Sequence, residues 1–117
     1  MLRWKDCTQE EQRLSEIMYL LFKLYPELEK FLFQSGVPRL NEPPDVLLNQ
    51  VGCFSSGEQI LIRVALDLWS GEGGAKLSDI IHRLDDDNFT NVTTALVCCR
   101  LPQLNPVVRA HIRGYDL

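Results

Sequence analysis

Residues 55–71 read Ser55-Ser56-Gly57-Glu58-Gln59-Ile60-Leu61-Ile62-Arg63-Val64-Ala65-Leu66-Asp67-Leu68-Trp69-Ser70-Gly71. This stretch decides the fold. Ser55 and Glu58 stand three apart, the Ser-x-x-Glu form of a capping box, in which each side chain satisfies a backbone N–H that the first helical turn leaves open. Only Arg63 and Asp67 interrupt the apolar run that follows, and their spacing of four puts them on one face. A helix that is apolar around most of its girth is buried on most sides. The segment is therefore expected to form a core helix, started at Ser55 and stopped at Gly71.

Outward from it, helical patterns dominate. Thr8-Gln9-Glu10-Glu11 is a second capping box. Leu14, Ile17, Met18, Leu21, Leu24 and Tyr25 follow at steps of three and four, which predicts a helix from about residue 9 to 24. Pro26 disfavours helical angles at Tyr25 and suits the first turn of a new helix. A second helix is expected to run through Leu28, Phe31 and Leu32 to about Gln34, with Gly36 as its stop; one kinked helix is the alternative. Residues 36–44 hold Pro38, Asn41, Pro43 and Pro44 and read as a loop. Asp45 is expected to cap a short helix through Leu48, ended by Gly52.

After Gly71, Gly73 and Gly74 a helix is expected from Leu77 through Leu84, with Ile80, Ile81 and Leu84 apolar. Asp85-Asp86-Asp87-Asn88 is a turn rich in residues that cap helices. Phe89, Val92, Ala95, Leu96 and Cys99 set the apolar stripe expected of the next helix, which Pro102 stops. Asn105-Pro106 opens a short last helix through Ile112. The reading is an all-α, single-domain bundle of about five to six helices over residues 1–117, with a helical pair at 8–35, a loop at 36–44 and a helical core at 55–113.

Composition agrees with one globular unit. The 117 residues are 45% hydrophobic and 24% charged, enough to bury roughly two thirds of the unfolded surface. The net charge of −4 opposes a protein that coats nucleic acid by neutralising phosphates. No apolar leader follows Met1, and the apolar runs are too short to span a bilayer. A cytoplasmic setting without membrane contact is the expectation. Cys7, Cys53, Cys98 and Cys99 then read as reduced thiols, without Cys-x-x-Cys spacing for zinc.

Four chemical readings compete with plain structure. Phe54-Ser55-Ser56-Gly57-Glu58-Gln59 resembles the signature motif of ABC-type ATPases, which implies nucleotide contact at a helix N-terminus. The chain lacks the Gly-x-x-x-x-Gly-Lys-Ser/Thr loop such chemistry also needs. Asp79, His82 and Asp86 lie at helical spacing, but no loop of calcium-binding pattern accompanies them. His82 and His111 with Cys98 or Cys99 make only a weak nucleophile–base combination. Asn88-Phe89-Thr90 and Asn91-Val92-Thr93 match a glycosylation pattern inside an expected helix. No catalytic residue, cofactor or metal site is assigned.

Two resemblances bear on function. Three expected helices at 55–101, including Leu77-Ser78-Asp79-Ile80-Ile81, resemble the helix-turn-helix of winged-helix regulators. That likeness implies a tri-helical core and a DNA-reading helix presenting Thr90, Asn91, Thr93 and Thr94, flanked by Arg109 and Arg113. Asp85, Asp86 and Asp87 would oppose phosphates at its start. Phe54–Glu58, Leu66–Gly71 and Leu84–Phe89 also resemble segments of small bacterial and phage proteins. That likeness implies a mobile-element setting, where small acidic domains inhibit host defence complexes, anti-CRISPR proteins among them. The leading expectation is a non-enzymatic domain that binds a protein or nucleoprotein complex and occludes it. The alternatives are a DNA-binding regulator and a small enzyme. A homodimer suits the first two. Candidate contact residues are Asp85, Asp86, Asp87, Arg109 and Arg113, with Arg3, Trp4 and Tyr115 as further exposed-anchor candidates.

Overall fold

The computed structural model describes residues 8–35 and 39–101. Among them are six α-helices: α1 (Gln9–Phe22), α2 (Pro26–Leu32), α3 (Pro44–Asn49), α4 (Ser56–Ser70), α5 (Leu77–Arg83) and α6 (Asp86–Arg100). Among the described residues the one extended pairing is an isolated antiparallel bridge between Phe33 and Leu40. The fold is all-α.

Both capping boxes form. Glu11 N–H donates to Thr8 Oγ1 at 3.1 Å while Thr8 N–H donates to Glu11 Oε1 at 2.9 Å. At α4, Ser55 N–H reaches Glu58 Oε1 at 2.9 Å and Glu58 N–H reaches Ser55 Oγ at 3.2 Å. Gly71 ends α4 at φ 76°, a left-handed angle that favours glycine.

α1 stops at Phe22, short of the expected end, and α2 begins at Pro26 as a separate helix. Tyr25 between them sits at φ −139°, ψ 69°, outside the helical region that proline denies its predecessor. α2 ends at Leu32 because Phe33 turns extended to pair with Leu40. The expected stop at Gly36 lies outside the described residues. Asn41 supplies the ending instead: its Nδ2 donates to the carbonyls of Lys30, Phe31 and Phe33 at 2.9, 3.0 and 3.3 Å.

α3 corrects one boundary. Pro44 occupies its first position and Asp45 lies inside the first turn, making no capping bond. Proline's fixed φ starts the helix one residue before the carboxylate could cap it. α3 closes at Gln50, and Gly52 belongs to the following 3-10 turn, Val51–Cys53.

The core gathers Ile17, Met18, Leu21 and Phe22 of α1, Leu28 and Leu32 of α2, Leu47 of α3, Leu61, Ile62 and Leu66 of α4, and Val92 of α6. Each such side chain contributes about 1.5–3 kcal/mol by leaving water. α1 packs against α2, α4 and α6, so it shares with α4 the central place expected of α4 alone. Two edge-to-face aromatic pairs, Phe31 with Phe54 and Phe33 with Trp69, each at 5.0 Å between ring centres, fasten α2 and its end to α4 and its approach.

Candidate partner-binding surface

The acidic run at the start of α6 divides by role. Asp85 is the N-cap, its carboxylate accepting from Asn88 N–H at 2.8 Å. Asp86 and Asp87 follow in the first turn, exposed, where negative charge complements the positive end of the helix dipole. Asn88 turns inward: it is buried, and its Nδ2 donates to the Tyr25 hydroxyl at 3.1 Å. Asp87 instead lines a cleft of about 290 Å³ with Lys23, Leu24, Thr90 and Asn91. Arg109 and Arg113 lie outside the described residues, as do Arg3, Trp4, Cys7, His111, Tyr115 and the helix expected up to Ile112.

α6 corrects the expected stripe. Its buried side is Asn88, Asn91, Val92, Thr94, Ala95 and Cys98. Phe89 and Leu96, placed on the apolar stripe by their spacing, stand 40% and 43% exposed. The helix is rotated so that short polar side chains face α1 and two large apolar ones face water. Of the four residues expected to read DNA, Asn91 and Thr94 are therefore buried, while Thr90 and Thr93 remain exposed. The Thr hydroxyls are also turned back on the helix, Thr93 donating to the Phe89 carbonyl and Thr94 to the Thr90 carbonyl, both at 2.8 Å.

α5 presents apolar surface as well. None of its seven residues is buried. Ile80 and, just beyond the helix, Leu84 pack partly against the core. Leu77 and Ile81, one turn apart, are 69% and 53% exposed. Asp79 forms an ion pair with Arg83 at 3.5 Å. Among the described residues no three His, Cys, Asp or Glu side chains converge as metal ligands.

Arg63 and Asp67, the charged residues in the middle of α4, do structural work. Arg63 Nη1 donates to the Gly73 carbonyl at 3.1 Å. The Asp67 carboxylate accepts from three successive backbone N–H groups, those of Gly73 at 2.7 Å, Gly74 at 3.1 Å and Ala75 at 2.8 Å. The glycine-rich turn is thus clamped to the helix before it. The clamp was not expected from the sequence; a charged pair four apart inside an apolar run, followed by glycines, is the pattern that marks it.

Cys53 is exposed and Cys98 buried. Burial pushes the half-buried Cys99 thiol above its usual range, with the nearby Arg13 charge opposing. A reactive cysteine needs the opposite shift. The Ser55–Glu58 turn, the candidate nucleotide contact, is occupied in capping α4.

No protein family, curated protein or solved structure matches this chain. Among the described residues no helix is long and apolar enough to cross a membrane.

Proposed function

We propose that this chain is a non-enzymatic protein-interaction domain that acts by covering a surface of its partner. The observation that carries the reading is α5, a helix with no buried residue that holds Leu77 and Ile81 out to solvent one turn apart. Exposed apolar side chains in register on a rigid element are the form that binding anchors take. They suit an apolar groove on a folded partner, with the Asp79–Arg83 pair and His82 at its rim. The narrower reading, a cytoplasmic inhibitor of a nucleoprotein defence complex, draws on the likeness to phage proteins.

The test is affinity purification of the wild-type chain beside a Leu77→Glu/Ile81→Glu variant of unchanged helical circular dichroism. The reading expects a stoichiometric protein partner that the variant loses. A partner retained by the variant, or none captured by the wild type, overturns it.

A further inference from the structure

We propose that the outer face of α6 is a self-association seam that pairs antiparallel with α6 of a second copy. Around an α-helix successive residues turn by about 100°. On that geometry Asp86, Phe89, Thr93, Leu96 and Arg100 fall on one stripe, opposite the buried side of Asn91, Ala95 and Cys98. The structure leaves this stripe open: Asp86, Phe89, Thr93, Leu96 and Arg100 are all exposed. Their spacing is that of two heptads, with the polar Asp86, Thr93 and Arg100 in one heptad position and the stripe's two apolar side chains, Phe89 and Leu96, in another.

The charges name the occupant. The stripe begins with a carboxylate and ends with a guanidinium, and Thr93 lies midway between them. Laid antiparallel about Thr93, two copies bring Asp86 of each against Arg100 of the other. Phe89 of each copy then lies within one residue's rise, about 1.5 Å, of the level of Leu96 of the other. A parallel pair would set Asp86 on Asp86 and Arg100 on Arg100. The stripe is therefore complementary to itself in one orientation, as a two-fold interface requires. Thr93 suits the axis because it is short and because its hydroxyl already donates to the Phe89 carbonyl, so burying it leaves no donor unmet. One two-heptad seam is smaller than a standard interface of about 1,600 Å², so the dimer is weak and concentration-dependent. This seam is distinct from the α5 anchors and does not rest on them.

The experiment is sedimentation velocity on the full chain at rising concentration, up to about 1 mM. The wild type is expected to pass from monomer to dimer. Leu96→Glu is expected to stay monomeric with unchanged helical circular dichroism. D86R carries cations at both ends of the seam and R100D carries carboxylates at both ends. Each alone is expected to dimerise at least about tenfold more weakly, since like charges then meet, whereas an equimolar mixture of the two restores a dimer. Misfolding of either variant would not produce that rescue. A wild type monomeric throughout, a dimer indifferent to Leu96→Glu, or a mixture no better than its components overturns the proposal and assigns the stripe to a different occupant. Capture of a heterologous partner by Leu96→Glu reads the α5 anchors separately.

Discussion

Asp67 Oδ1 accepts the backbone N–H of Gly73 at 2.7 Å, and Gly73 lies so close to α4 that a Cβ there would stand 1.8 Å from the Arg63 carbonyl oxygen. The contact is backbone against backbone, so neither side can move aside as a flexible side chain would. Gly73→Ala is expected to lift the turn off α4 and to cost about 3 kcal/mol, the scale of a severe overpacking. Urea unfolding followed by circular dichroism measures it. A cost below about 1 kcal/mol would show that the turn relaxes freely.

The carboxylate is the other half of the same clamp. Asp67→Ala leaves the N–H groups of Gly73, Gly74 and Ala75 without their acceptor, and a hydrogen bond to a charged group contributes about 1.5–3 kcal/mol net where water cannot take its place. With Gly74 and the turn partly open to water, a net loss of about 2 kcal/mol is expected. Hydrogen exchange at those three amides should accelerate in the variant while the amides of α1 keep their protection.

The three aspartates at α6 should separate cleanly by substitution. Asp85→Ala removes a cap and is expected to cost about 1 kcal/mol. Asp87→Ala, in the exposed first turn, is expected to change stability by no more than about 0.5 kcal/mol. Equal costs at the two positions would contradict the assignment of Asp85 as the cap.

Much of the architecture was legible in advance, and the reasons are local. α1 and α4 each announce themselves by a capping box and an unbroken apolar period, signals that need no knowledge of neighbours. Pro26 likewise fixes the start of α2 by its own covalent geometry. α6 was legible as a helix but not in its orientation. Hydrophobicity favours Phe89 and Leu96 for the core, yet Asp85 caps the helix and Asn88 reaches Tyr25. Those contacts accompany a rotation that brings Asn91 and Thr94 inside. Tyr25 is remote in sequence, so no window around α6 contains it. The α5 surface was hidden for the same reason. Periodicity shows that Leu77 and Ile81 share a face, but only the packing shows that nothing among the described residues covers it.

Tyr25 therefore offers a direct check on that rotation. Tyr25→Phe keeps the ring and removes the acceptor of the Asn88 amide, whose Oδ1 is already buried without a partner among the described residues. Leaving a buried amide unmet costs about 1–3 kcal/mol. The expected loss falls in that range, and the same substitution combined with Asn88→Ala should be less than additive in a double-mutant cycle.

Cys99 gives a prediction in pH. Its thiol is held above the usual range by burial, so the native state keeps its proton to higher pH than the unfolded chain does. The unfolded state then loses protons first as pH rises, and stability falls from the ordinary thiol range upward. Denaturation midpoints are expected to decline over that interval more steeply in the wild type than in Cys99→Ala. Parallel curves would remove the thiol as the cause.

The packing of α1 on α6 also sets the order of events during synthesis. Among the described helices α1 is made before the others, and the helix that covers one of its flanks is the last. A ribosome adds about 5–20 residues each second, so the nascent chain carries α1 for seconds with that apolar flank bare. Chains cut short before α6 keep it bare for good. Premature termination ahead of α6 should thus yield sticky, chaperone-bound fragments rather than smaller working domains.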